Sequence, residues 1–205
     1  MLPHLEFLQL RENQLTGPLP PSISNCSNLR LVEVEHNNLS GKLKIDFGKL
    51  KYIHKINMGH NIFGSGEADE MKFIDTLKNC SRLEILDLRN CGFQGLLPTS
   101  IGNLSDQLCL LVIQGNQLYG HLPGNLVGLD TLVLSNNHFT GKIPSTICTL
   151  QNLQVAFLDY NQFSGPIPDA IRNLSLVTTC FKFQQVVMAY SIKHGKLSSS
   201  IRVVP

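Results

Sequence analysis

Apolar residues recur along this chain in the spacing L-x-x-L-x-L, and three positions after each set comes a polar slot, nearly always asparagine. The slot falls at Asn13, Asn37, Asn61, Cys91, Asn116, Asn137 and Asn161, at intervals of 24, 24, 30, 25, 21 and 24 residues. Leu5, Leu8 and Leu10 precede the first slot; Leu83, Leu86 and Leu88 precede the fourth; Leu153, Ala156 and Leu158 precede the last. After the slot the chain often runs on as L/F-x-G-x-L/I-P, at 15–20, 93–98, 118–123, 139–144 and 163–168.

Residues two apart in L-x-L share one face of a short strand. One such unit cannot bury that face alone, but stacked copies form a parallel sheet over a continuous core. The pattern therefore predicts an α/β solenoid of about seven coils, curved and right-handed. Parallel strands centred near 8–10, 32–34, 56–58, 86–88, 111–113, 132–134 and 156–158 form its inner face, and short helical turns its outer face. Each slot asparagine is placed to bond turn backbones of its own and the adjacent coil, whereas Cys91 keeps only a weak donor. The 21-residue interval predicts a shortened outer segment at 123–129. Beyond Asn173-Leu-Ser175 the register dissolves, so the solenoid spans 1–175 and a degenerate tail 176–205.

The 30-residue interval carries six extra residues, in "NIFGSGEADEMKFIDTLKNCSRLEILDL". Ser65 is read there as the cap of a helix with Glu67, Asp69 and Glu70 in a solvated first turn and Met71, Ile74 and Leu77 on one face. Asp46-Phe47-Gly48 spells the metal-binding triplet of protein kinases, but no H-R-D-x-x-x-x-N loop or strand lysine precedes it. In repeat register Phe47 is instead a core residue and Gly48 the terminator of an outer turn.

The second half of the repeat, L-x-G-x-I/L-P, resembles the leucine-rich-repeat family in its plant extracellular form. The insert stretch G-S-G-E…F-I-x-T-L-x-N-C-S-x-L resembles that of the plant receptor-like kinases that sense bacterial proteins. The resemblance implies a receptor ectodomain that recognises a peptide or protein, together with a co-receptor, on the outer side of the plasma membrane. A free-standing secreted protein resembling polygalacturonase inhibitors is the alternative. The paired-cysteine caps of the family are missing, as are a signal peptide, membrane span and kinase, so a piece of a longer receptor is expected, itself no enzyme.

Composition narrows this further. A net charge of +2 provides no basic footprint for nucleic acid, and no apolar run suggests a membrane segment. Six cysteines without CxxC or zinc spacing predict free thiols, with Cys26, Cys80 and Cys91 mostly buried; no cofactor or metal is implied. With 17 asparagines, composition predicts about two N-x-S/T triplets, against five found, at Asn25, Asn38, Asn79, Asn103 and Asn173. None occupies an inner-face position, so sugars would leave that face open.

The inner positions identify the binding candidates. Four before the slot stand Gln9, Glu33, Asn57, Asp87, Val112, Val133 and Phe157. Two before it stand Arg11, Glu35, Gly59, Arg89, Gln114, Ser135 and Asp159; one before it, Glu12, His36, His60, Asn90, Gly115, Asn136 and Tyr160. The face thus divides into a charged half and an exposed apolar stripe, Val112–Val133–Phe157, edged by Tyr160. Such stripes mark partner sites, and Asp87, Arg89, Asp159 and Tyr160 join them as candidate ligand contacts. His36 and His60, on neighbouring coils, are expected about 5 Å apart.

Overall fold

Leu8, Val32, Ile56, Leu86, Leu111, Leu132 and Ala156 lie side by side across seven parallel strands, one per coil. The strands are Phe7–Gln9, Leu31–Glu33, Lys55–Asn57, Ile85–Asp87, Leu110–Val112, Thr131–Val133 and Val155–Phe157, hydrogen-bonded in chain order. The computed structural model describes residues 4–67 and 69–169, and the backbone of Tyr190–Lys193 and Lys196–Ser199, which pair as an antiparallel hairpin. The rest of the expected tail at 176–205 lies outside the described residues.

Each strand stops one residue short of its predicted end. The third apolar residue still donates its amide to the next coil, as Leu10 does to Glu33 (2.7 Å) and Met58 to Asp87 (2.8 Å). The backbone then turns, because the residue before each slot is left-handed: Glu12, His36, His60, Asn90, Gly115, Asn136 and Tyr160 all have φ between 50° and 67°. Behind this turn the slot asparagine staples two coils. Asn61 Nδ2 donates to Val34 O and Met58 O, both at 2.9 Å, and its Oδ1 accepts the Leu39 amide at 3.0 Å. Cys91 reproduces half of this. Its thiol donates to Met58 O (3.2 Å) and Arg89 O (3.4 Å) but offers no carbonyl acceptor in the place of the asparagine Oδ1; the Cys91 backbone oxygen accepts the Gly64 amide at 3.0 Å.

The inward side chains of every coil merge into one core, in which Leu29, Val32, Ile56, Leu86, Leu132 and Phe139 are wholly buried. Burial of that completeness is worth about 1.5–3 kcal/mol per large side chain. Among the described cysteines, Cys26, Cys80, Cys91 and Cys148 are buried free thiols and Cys109 is half-buried and free; Cys180 lies outside the described residues. Burial pushes the Cys80 thiol up to about 11.

A second ladder, which the pattern did not predict, follows the slots. Thr16–Gly17 pairs with Asn38–Leu39, Ser40 bridges Ile62, and Gln94–Leu96, Gln117–Gly120, His138–Gly141 and Gln162–Phe163 form a parallel sheet. The L-x-G half-repeat makes these strands, and glycines such as Gly120 (φ 106°) bend the chain away after them. The outer turns are short 3₁₀ segments, Pro21–Asn25, Phe47–Lys49, Thr99–Asn103 and Ser145–Thr149. The 21-residue coil runs from Pro123 to Leu129 with no helical turn, as its length requires.

The insert breaks the second ladder and corrects two expectations. Glu70–Lys72 is a 3₁₀ turn leading into a helix at Phe73–Leu77, and Ser65 does not cap it. Glu70 is not solvated but 2% exposed. Its carboxylate accepts the Ser65 amide (2.9 Å), the Ser65 hydroxyl (3.2 Å), the Gly66 amide (2.8 Å) and the Gln94 amide of the next coil. The acid replaces the missing half-repeat as the tie between coils. Met71, Ile74 and Leu77 are buried together as expected, and Phe73 joins them against Phe47 and Phe93. Phe47 is core, but Gly48 lies inside its turn rather than ending it. A side chain there would meet Asn79 Nδ2 at 2.9 Å and Thr76 O at 3.0 Å.

Candidate functional site

The inner face of the main sheet is divided as its sequence columns suggested. Over the first four coils Glu33, Asp87 and Arg89 are already paired, while Arg11 and Glu12 are exposed. Glu33 accepts Gln9 Nε2 at 2.7 Å and the Lys55 ammonium. Burial would raise its carboxyl, yet the bonds from Lys55 and Gln9 outweigh that and hold it below the usual glutamate value. Arg89 clamps Asp87, its Nε lying 2.9 and 2.8 Å from the two carboxylate oxygens. Gly59 leaves the room for that arginine, since a Cβ there would stand 2.9 Å from Arg89 Cγ.

Glu35 is the exception. Its Oε2 is buried without a hydrogen-bond partner, and burial, reinforced by the neighbouring Glu33, raises its pKa against the pull of its own backbone amide. His36 and His60 stack with ring centroids 4.2 Å apart and planes 10° from parallel. Burial lowers the His60 pKa, and His36 and Arg89 lower it further, against the attraction of Asp87.

The apolar half departs from its predicted exposure. Val112, Val133 and Phe157 do pair across adjacent strands. However, Val112 is 1% and Val133 3% exposed, in a cluster with Leu110 that Ile85, Cys109 and Phe157 pack against. Strands about 4.8 Å apart bring such side chains into mutual contact, so the ridge shields itself from water. Phe157 remains half-buried and Tyr160 is 55% exposed. Removing Phe157 therefore costs some packing, where the sequence alone suggested none. Asp159 is exposed and accepts the Ser135 hydroxyl. The candidates thus form two groups, Asp87–Arg89 in the charged half and Val112–Val133–Phe157 with Asp159 and Tyr160 in the apolar half.

Of the sequon asparagines, Asn25, Asn38, Asn79 and Asn103 are exposed, and Asn173 lies outside the described residues. Among the described residues no cluster of three His, Cys, Asp or Glu could hold a metal ion, and no helix is long and apolar enough to cross a membrane. Sequence reasoning missed the left-handed column before the slots. Its signal was present in Asn90, Gly115 and Asn136, residue types that tolerate positive φ.

The Leucine Rich Repeat family model matches residues 4–26, 82–104, 128–150 and 152–174. Stacked parallel coils with an asparagine staple at their turns make the chain a leucine-rich-repeat protein. Within that class its likeness is to the ectodomains of plant receptor-like proteins and receptor kinases. Receptor-like protein 35 of Arabidopsis thaliana is 33% identical over 195 residues, 94% of this chain and 20% of that protein. Receptor kinase-like protein Xa21 of Oryza sativa subsp. japonica is 39% identical over 93 residues, 44% of this chain and 9% of that one. The chain thus spans a fifth or less of either relative.

Solved structures agree on the fold. A TDR receptor superimposes with a TM-score of 0.80 at 32% identity, over 89% of this chain and 31% of that chain. The Arabidopsis receptor kinase HAESA, in complex with the peptide hormone IDA and the co-receptor SERK1, gives 0.63 at 28% identity, over 85% and 32%.

Proposed function

We propose that this chain is a recognition module of a plant receptor ectodomain, taking a peptide or protein ligand on its inner face with a co-receptor alongside. The observation that carries this reading is the half-open apolar end of the face, where Phe157 and exposed Tyr160 and Asp159 adjoin a self-packed valine cluster. Aromatic side chains with a buried foundation and an open edge make effective anchors, while the pre-paired Asp87–Arg89 clamp supplies a rigid polar neighbour. The solved HAESA complex, which contains a peptide hormone and a co-receptor, supports the choice of partners. Such a module faces the cell exterior, and the exposed sequons Asn25, Asn38, Asn79 and Asn103, with Asn173, are its glycosylation sites. The finer reading, perception of a bacterial protein, draws on the insert, which resembles that of the receptor-like kinases that sense bacterial proteins.

The test is a displayed peptide library panned against the chain secreted from plant cells. Selected peptides should lose about 2 kcal/mol of binding on Phe157→Ala and should also weaken on Asp159→Lys. Tyr119→Ala, on the second ladder, should leave them unchanged. Peptides indifferent to both inner-face variants would remove the site from this face.

A further inference from the structure

Where coils five to seven leave the main sheet, a cleft of about 410 Å³ opens over the last three asparagines of the ladder. Its floor, Asn116, Asn137 and Asn161, is committed to the backbone. Asn137 Nδ2 donates to Ile113 O (2.9 Å) and Leu134 O (3.1 Å), and its Oδ1 accepts the Leu118 amide (3.1 Å). The floor is therefore rigid. The rim is different: Gln117, Asn136, His138, Tyr160 and Gln162 are exposed, and none of these side chains bonds elsewhere among the described residues.

Two further features restrict what this rim could hold. No Asp, Glu, Lys or Arg lines the cleft, and no aliphatic side chain does either. Tyr160 sits at φ 51°, in the column where coils four to six carry Asn90, Gly115 and Asn136. The left-handed turn is common to the whole column, and at this coil it carries an aromatic ring to the edge of the cleft.

We propose that the cleft is a binding site for a neutral saccharide. Each glutamine or asparagine amide presents a donor and an acceptor side by side, which matches the paired hydroxyls of a sugar ring. The Tyr160 ring offers an apolar platform for the C–H face of the same ring, with its hydroxyl left in water. A rim without lysine or arginine lacks the usual partners of a uronate or phosphate. A peptide ligand would lack a pocket for any anchoring side chain. The volume suits a ligand of about two sugar rings. Gln117 and Gln162 follow their slots two coils apart, about 9.6 Å, with His138 between them, so the rim offers amide partners at both ends of a short sugar chain. The cleft shares Tyr160 with the inner-face reading but not Phe157 or Asp159, so the two readings are distinguished at Phe157.

The experiment is saturation-transfer NMR and titration calorimetry on the whole chain with cellotriose, xylotriose and maltotriose, and with trigalacturonate and the peptide Gly-Ser-Gly-Ser as rivals. At least one neutral trisaccharide should bind. Gln162→Ala and Tyr160→Ala should each weaken it by about tenfold or more, whereas Tyr160→Phe should hold within about twofold, because the platform and not the hydroxyl is used. Phe157→Ala should leave sugar binding intact, which separates this result from the peptide test. Thermal midpoints of the variants establish that they fold. Binding of none of the three sugars, preference for trigalacturonate, occupation by the peptide instead, or sugar binding unchanged in both alanine variants would overturn the assignment.

Discussion

At the scale of single residues, Glu35 is the least settled group on the inner face. One carboxylate oxygen is buried without a donor, and its folded pKa is raised above the ordinary 4.5 by burial and then by Glu33. Below about pH 4.5 both folded and unfolded states carry the proton, and the penalty is absent. It grows as pH rises from there through the folded value, where the native carboxyl must ionise beside Glu33. Glu35→Gln should therefore raise the thermal midpoint at pH 7 and change it little at pH 4. An equal shift at both pH values would show that packing and not charge is responsible. The same scale explains why some candidates were misplaced from sequence: periodicity reports which face a side chain is on, not whether its neighbours cover it. Val112 and Val133 were assigned the correct face and the wrong exposure. Glu70 was assigned to water because acidic residues usually go there, while four donors from two coils converge on it.

Elements are joined here by side chains that stand in for backbone. Glu70→Ala would leave the amides of Ser65, Gly66 and Gln94 without their acceptor, at a cost of about 3 kcal/mol in denaturant unfolding. Glu70→Gln, which keeps one acceptor oxygen, should lose less, and amide exchange at Ser65 and Gly66 should quicken in both. If Glu70→Ala unfolds at the wild-type denaturant concentration, the carboxylate is not the tie between coils. At the fourth slot the opposite change applies. Cys91→Asn restores the carbonyl acceptor that Asn61 and Asn116 supply to their preceding coils. It should stabilise the chain by about 1 kcal/mol. A loss of stability would mean that the thiol is there because a larger group does not fit. Burial drives the Cys91 thiol far above its usual pKa, so alkylating reagents should spare it in the native protein.

For the whole molecule, stability follows from stacking, since each coil touches only its neighbours. In the end coils the core residues Leu5, Leu8 and Leu10, and Ala156, Leu158 and Phe163, are only partly buried, whereas Ile56, Leu86 and Leu132 in the middle are wholly so. Native-state hydrogen exchange should accordingly be slowest at the strands Lys55–Asn57, Ile85–Asp87 and Leu110–Val112 and faster toward Phe7–Gln9 and Val155–Phe157. Uniform protection across the seven strands would mean that the stack opens as one unit. The inner face varies along the same axis, from paired charges at the first coils to a valine cluster and an aromatic edge at the last. A ligand lying along the stack would meet these in sequence.

Seven slots in register were enough to determine the parallel sheet, its strand order, the shortened outer turn before Leu129 and the free state of the described cysteines. The first three depend on the spacing of apolar residues that must share a core and the last on the spacing of the cysteines, and spacing is written in the chain. The left-handed column, the second ladder, the anchoring of the insert by Glu70 and the closure of Val112 and Val133 were decided by contacts between coils 19 to 33 residues apart. Those contacts depend on how far the sheet bends and which side chain reaches the next coil first. The uncommitted rim of Gln117, His138, Tyr160 and Gln162 belongs with them: its residues are ordinary in sequence, and only the stacking of three coils sets them around one cleft.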